Sequence, residues 1–380
     1  MSEWKTYKLG DVAQIIGGGT PSTTKEEYWN GEIGWLTPRD LTGYSFKYIS
    51  KGERNITEEG LKNSSARLMP EGTVLMTSRA PIGYLAIAGD ELCTNQGFKS
   101  FIVDEDKINN EYLYYLLKSN IDRIKSLGTG STFAEVSATI LKGFEIEIPD
   151  LPTQRQIAQI LTSLDDKIEL NLQMNQTLEA MAQAIFKEWF VDFNFPGFDG
   201  ELVDGLPKGW RKGNLGEMIS FKNGKTSPER NNDFQYPVYG SNGIIGYSEN
   251  FNAVENISIV GRVGSFCGST YLSTKKCWVT DNAIIAQSIN DYSIFTYLTL
   301  LNLNLNNFRA GSGQPLLNQT ILSAIPLNIP SPELLEEFEN QTMPFFKKIE
   351  LNLDTNKQLE DIRNTALPKL MSGNIEVMNT

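Results

Sequence analysis

Two segments of the chain carry apolar residues at strict seven-residue steps. Over residues 151–192, steps from Ile157 meet Leu164, Asn171, Leu178 and Ile185, and steps from Leu161 meet Ile168, Asn175, Ala182 and Trp189. Over residues 331–375, the corresponding series are Phe338, Phe345, Asn352, Leu359 and Ala366, with Thr342, Ile349, Asn356, Arg363 and Leu370. Such a pattern predicts two long helices, each with one seam to bury against a partner. The hexapeptide KIELNL occurs in both, at 167–172 and 348–353, an offset of 181. In an antiparallel pair, a positions of one helix meet d positions of the other, so Asn171 is expected opposite Asn356 and Asn175 opposite Asn352. Asparagine in a coiled-coil seam lowers stability but fixes register. Pro344 predicts a kink or restart of the second helix, since proline removes one backbone bond and clashes with the preceding turn.

The remaining pattern is different in kind. Short apolar runs at 73–77, 84–88 and 98–103, punctuated by Gly and Pro, predict strands. A helix is expected over 109–127, with Asn110 as N-cap and Leu113, Leu116, Leu117, Ile121, Ile124 and Leu127 on one face. WKTYKLGD at 4–11 returns as WRKGNLGE at 210–217, an offset of 206. GTGS at 128 returns as GSGQ at 311, an offset of 183, and the Ile-Pro ending at 149 returns at 330, an offset of 181. The fall from 206 to 181 predicts about 25 extra residues inside the first copy. The expected architecture is therefore α+β. Two mixed α/β domains, 1–150 and 210–330, are separated by helices 151–192 and 331–375 forming an antiparallel coiled coil, with a Gly-, Pro- and Asp-rich linker at 193–209 and a pseudo-twofold internal repeat.

Composition narrows the chemistry. The chain of 380 residues contains no histidine, which removes Ser-His-Asp and Cys-His nucleophile systems and His-ligated metals. Cys93, Cys267 and Cys277 lack CxxC spacing and read as packed thiols of a reducing compartment. No apolar run is long enough for a membrane span and the N-terminus lacks a signal-peptide pattern, so a cytoplasmic location is expected. Net charge is −12, unevenly spread: 16 basic against 21 acidic residues in 1–150, 3 against 9 in 151–204, 10 against 7 in 205–330 and 5 against 9 in 331–380. The helices are the acidic parts, so a polyanion is expected to meet the regions between them. The nearest catalytic motifs fail: GGGTPSTTK at 17–25 has the wrong order for a phosphate loop, Glu105-Asp106-Lys107 lacks its upstream nuclease partner, and no Asn- or Asp-Pro-Pro-aromatic motif is present.

In their order, the pieces resemble the specificity (S) subunit of type I restriction-modification systems, the HsdS family. The matching segments are WKTYKLGDVAQIIGGGTPS, YWNGEIGWLTPRDL at 28–41 and the helix from IPDLPTQRQIAQIL to IFKEWF at 148–190. In the second half they are GLPKGW at 205–210, YPVYGSNGIIGY at 236–247, GSGQPLLNQTIL at 311–322 and LPKLMSGNI at 367–375. The resemblance implies a non-catalytic subunit in which each of two target-recognition domains reads half of a bipartite double-stranded DNA site. It implies that the helices set the half-site spacing and dock two methyltransferase (M) subunits, with restriction (R) subunits joining them. No cofactor is then expected on this chain, and S-adenosylmethionine belongs to the methyltransferase partner. A stand-alone DNA-binding or antirestriction protein of the same fold is the alternative.

Base reading needs paired donors and acceptors, while Lys, Ser, Thr and backbone amides hold phosphates. In the first domain the candidates are Gly19, Thr20, Ser22 and Lys25; Trp35 with Arg39; Thr77, Ser78 and Arg79; Asn95 and Gln96 with Lys99; and Ser131 with Thr132. In the second they are Lys222 and Lys225; Tyr239, Ser241 and Asn242; Arg262; Lys275; Arg309; and Ser312 with Gln314. Trp35 and Tyr236 read equally well as core aromatics. Arg79 and Arg262 occupy similar places, each after a β-like run and before a glycine turn. Beside the seams, Ile160, Met181, Phe186 and Phe190 are candidates for docking a partner, and read equally well as packing against the recognition domains.

Overall fold

The structure, a computed structural model, describes residues 4–130, 134–310 and 316–375. It divides into two units, one of residues 1–171 with 354–380 and the other of residues 172–353.

In the first unit, a five-stranded sheet has the order Ala13–Gly17, Phe98–Val103, Val74–Ser78, Ile82–Ala88 and Tyr48–Ile49. A three-stranded sheet, Arg54–Ile56, Trp29–Leu36 and Leu92–Thr94, lies in the same unit, with its last two strands parallel. The helix Asn110–Ser119 buries Tyr112, Leu113, Tyr115 and Leu116 against the larger sheet and the long helices. It differs from the single helix expected there. The cap is Asn109, whose Oδ1 accepts from the Tyr112 amide at 2.9 Å, and the helix breaks at Asn120, whose amide turns back to the Leu116 carbonyl. Leu127 lies beyond the second piece, Ile121–Ser126, and is exposed.

The second unit repeats this framework with fewer residues. Its main sheet runs Ile219–Asn223, Ala283–Ser288, Ile257–Gly261 and Thr270–Ser273, and its smaller one Gly243–Ser248, Tyr236–Gly240 and Trp278–Val279. Hydrogen-bond register allows the copies to be matched residue by residue. The Asn95 amide donates to the Leu36 carbonyl as Thr280 does to Tyr239, an offset of 203 on the acceptors. Met69 bridges Leu92 as Ala253 bridges Cys277, an offset of 184. Most of the surplus in the first copy therefore lies between Leu36 and Met69, in the stretch holding strand Arg54–Ile56 and helix Glu58–Lys62. A two-stranded ribbon closes each copy, Lys5–Lys8 with Glu145–Ile148 and Arg211–Asn214 with Pro326–Ile329.

Two helices of 40 residues each, Leu151–Phe190 and Pro332–Met371, run through both units. Every seam position named above is buried or half-buried. Within the first unit the helices are antiparallel: Ile157 and Leu161 share a core with Leu367, Leu370 and Met371. There the Asn171 amide donates to Asn356 Oδ1 at 2.7 Å, and the Asn356 amide donates to the Ile168 carbonyl at 3.2 Å. Within the second unit, also antiparallel, Ala182, Phe186 and Trp189 meet Leu334, Leu335 and Phe338, and the Asn352 amide donates to Asn175 Oδ1 at 2.8 Å. The helix does not restart at Pro344. The proline and Asn340, whose carbonyl loses its bond, both face solvent, while Phe338 and Thr342 hold the seam on the other side. Phe186 and Phe190 are not surface residues. They join Phe295, Phe338 and Trp210 in one aromatic cluster, whereas Ile160 and Met181 remain 43 % and 45 % exposed.

Candidate nucleic-acid interface

In each unit the strand ends that carry the candidates converge, because antiparallel register decides which termini are neighbours. Gly17 pairs with Lys99, and Thr77 with Phe98, so the exits of Ala13–Gly17 and Val74–Ser78 and the entry to Phe98–Val103 share one edge. Leu36 pairs with Thr94, which brings Thr37 and Arg39 to the same side. One backbone crossing organises this edge. A Cβ on Gly18 would lie 2.2 Å from the carbonyls of Thr94 and Asn95, so only glycine lets the two segments touch. Gly224 makes the same crossing in the second unit, where a Cβ would lie 2.1 Å from the Thr280 carbonyl.

The crossing sets Thr20 against Gln96, the Thr20 hydroxyl donating to Gln96 Oε1 at 2.6 Å. Beside it Lys99 Nζ reaches Ser78 Oγ at 3.3 Å and Glu135 Oε1 at 3.1 Å, while Arg79 lies 3.7 Å from Glu135. Glu135 was not among the residues singled out above; in the sequence it is one acid beyond a glycine turn, and only the Arg79–Glu135 bridge reveals its place. Arg39 lies 3.8 Å from Glu53, both well exposed. Lys25 donates to the Tyr28 hydroxyl, which raises its pKa. Asn95 is at this edge too, holding the turn through the Gly97 amide at 2.8 Å, while the Ser22 hydroxyl lies 2.9 Å from that of Thr24 in its own loop.

Several candidates are spent on structure. Thr77 is buried and donates to the Pro81 carbonyl, Ser78 is buried against Gly97, and Gly19 is buried with its carbonyl receiving the Trp35 indole N–H at 2.9 Å. Trp35 belongs to the core with Trp29 and Cys93, and burial pushes the Cys93 thiol up to about 12. Tyr239 is likewise a core residue, packed with Ile257, Ile259 and Val279. Each sits at a strand end whose inward face is filled by the domain's own core, which the residue type alone does not disclose.

In the second unit Lys222, Lys225, Ser241, Asn242 and Arg262 gather at the corresponding edge, with Lys225 bridging Thr280. Arg309 precedes the Ala310–Leu316 bridge, which adjoins Val263. Lys275 is elsewhere: it follows the end of Thr270–Ser273 that pairs with Ile257, at the far end of the sheet, and lies 3.8 Å from Glu350 on the long helix. Ser131, Thr132, Ser312 and Gln314 lie outside the described residues.

Arg79 and Arg262 are not equivalent. The Ser78 amide donates to the Gly97 carbonyl as the Arg262 amide does to Asn282, and the Ser78 carbonyl receives Val136 as that of Arg262 receives Leu317. Arg262 therefore matches Ser78, and Arg79 matches Val263. A one-residue displacement along a strand end turns the side chain to the other face. Arg262 is half-buried, one of its terminal nitrogens 3.4 Å from the Asp281 carbonyl and its buried Nε without a partner among the described residues.

The chain belongs to the family described as the type I restriction modification DNA specificity domain, whose model matches residues 1–180 and again 207–361. Among its relatives, the type I restriction enzyme MjaIX specificity subunit of Methanocaldococcus jannaschii is 33 % identical, over 99 % of this chain and 94 % of that protein. The HindI specificity subunit of Haemophilus influenzae is 26 % identical over 99 % of this chain and all of its own length. The crystal structure of a type I system S subunit from M. genitalium covers 100 % of this chain and 97 % of its own at 18 % identity, with a TM-score of 0.64, which is a likeness of fold.

Proposed function

We propose that the chain is the DNA-specificity subunit of a type I restriction-modification enzyme, each β framework reading one half of a bipartite duplex target. The observation that carries this is the duplicated strand edge, built twice around the same glycine crossing and furnished each time with different polar side chains. Two frames of one geometry with unlike tips suit a target of two unlike halves. The acidic long helices avoid phosphates and offer exposed apolar side chains, such as Ile160 and Met181, to two methyltransferase subunits. In this reading those subunits bind S-adenosylmethionine, restriction subunits complete the enzyme, and this chain performs no chemical step. The buried Asn pairs hold the helices in one register, and with it the spacing between the half-sites.

Methylome sequencing of a host carrying the intact system, beside the same host with this gene deleted, tests the proposal. A bipartite methylated motif that vanishes on deletion is the expected result. Methylation that persists unchanged, or that follows no two-part motif, would overturn it.

A further inference from the structure

We infer that Gln96 and Asp281 are corresponding base-reading positions, the first suited to adenine and the second to the cytosine of a G·C pair. This rests on the specificity reading above and names the residues that would distinguish the two half-sites.

The equivalence comes from backbone hydrogen bonds. Residue 95 and residue 280 donate to matching carbonyls of the neighbouring strand, and residues 97 and 282 accept from matching amides. Gln96 and Asp281 are the single residues between these fixed points, at the tip of the same connection. Both are exposed, although Thr94, Gly97, Thr280 and Ala283 around them are buried. The backbone is therefore pinned on both sides of an exposed side chain.

The chemistry at the tip differs. Gln96 carries an amide whose oxygen is already oriented by the Thr20 hydroxyl at 2.6 Å, leaving its NH2 and a second lone pair outward. An outward donor beside an acceptor is the complement of adenine N7 and N6 in the major groove. The nearby cations Lys99 and Arg79 are both drawn to Glu135, so the neutral amide is the group left to discriminate. Asp281 offers acceptors only. Its carboxylate has no hydrogen-bond or ion-pair partner among the described residues, and phosphates would repel it, so a base amino group is its natural complement. Arg262 stands beside it without forming an ion pair, one terminal nitrogen near the Asp281 carbonyl. Between them, the Arg262 guanidinium and the Asp281 carboxylate carry the donors that guanine O6 and N7 need and the acceptor that cytosine N4 needs.

The test is selection from a randomised double-stranded DNA library by the full-length chain, purified together with the methyltransferase subunits of its system. Gln96→Glu should move the preference at one position of one half-site from adenine towards cytosine by roughly tenfold or more. Asp281→Asn should move one position of the other half-site from cytosine towards adenine by a similar factor, and Gln96→Ala should flatten its position alone. Unchanged selected sequences in all three variants overturn the inference, as does an equal loss of binding to every sequence, which would make these residues backbone holders. A wild-type complex that selects no sequence at all overturns the specificity reading itself.

Discussion

The two units use one framework but hold it to the long helices differently. In the first, Asp165 and Arg363 form an ion pair in the seam, with side chains 11 % and 15 % exposed, and the Tyr115 hydroxyl donates to Asp165 at 2.6 Å. Lys47, buried, reaches from the recognition fold to Glu111 at 3.0 Å and to Thr162 on the helix at 3.1 Å. The 181 offset carries Asp165 to Phe346 and Ala182 to Arg363, so the second unit has an apolar pair where the first has charges. There the anchor is aromatic: Phe338 has Phe190 at 4.9 Å, Trp189 at 5.8 Å and Phe186 at 6.1 Å between ring centroids. A buried ion pair demands its exact partner, whereas an aromatic cluster tolerates changes of shape and depends on volume. One fold is thus secured by specificity on one side and by bulk on the other.

The sharpest break in this contrast is Phe338→Ala, which removes a fully buried ring and should destabilise the second unit by about 3–5 kcal/mol. Denaturant unfolding measures it, and a loss below about 1 kcal/mol would show that the cluster is not the anchor. Next, Arg363→Ala leaves Asp165 with Tyr115 alone and should cost roughly 2–3 kcal/mol, less than a wholly buried pair because both partners keep some solvent. Adding Asp165→Phe, which copies the second unit, should return most of that loss. If the double variant is no more stable than the single one, the two seams are not interchangeable.

The smallest effect is on pH. Glu339 in the second unit caps the helix Ser293–Asn302 from outside, its Oε1 accepting from the Phe295 amide at 2.7 Å. Burial outweighs that bond and pushes the carboxyl up to about 7. The fold therefore prefers the protonated form: the stabilisation is fully present below the ordinary carboxylate range and is lost as pH rises through about 7. Thermal unfolding should show the second unit weaker at alkaline than at mildly acidic pH, on the order of 1–2 kcal/mol, and Glu339→Gln should flatten the profile. A variant with the same pH slope as the parent would assign the slope to another group.

The long helices were legible because a seam is a one-dimensional pattern: the residues at Ile157, Leu161, Phe338 and Leu370 announce burial by spacing alone. The proportions of the repeat were legible too, since 25 surplus residues were implied by the offsets and lie mainly between Leu36 and Met69. The strand edges were not. Arg79 and Arg262 look alike in sequence and differ by one place in register, a shift that no composition or periodicity records. Thr77, Ser78 and Tyr239 have the chemistry of DNA contacts but face inward, and Phe186 and Phe190 sit beside a seam yet find partners across the second unit. Asp281 was overlooked because an acid is a poor first guess for a surface that meets a polyanion.

The two-stranded ribbons at Lys5–Lys8 with Glu145–Ile148, and at Arg211–Asn214 with Pro326–Ile329, carry a consequence of another kind. Each ties the first strand of a recognition fold to its last, about one strand spacing apart, just before a long helix begins. The strand edges proposed to meet the target lie on chain that runs between the two strands of one ribbon. A fold of different length carried between the same two strands would meet the following helix at the same residue. In this chain, novelty in what is read and constancy in how the reader is mounted are separable by a single pair of short strands.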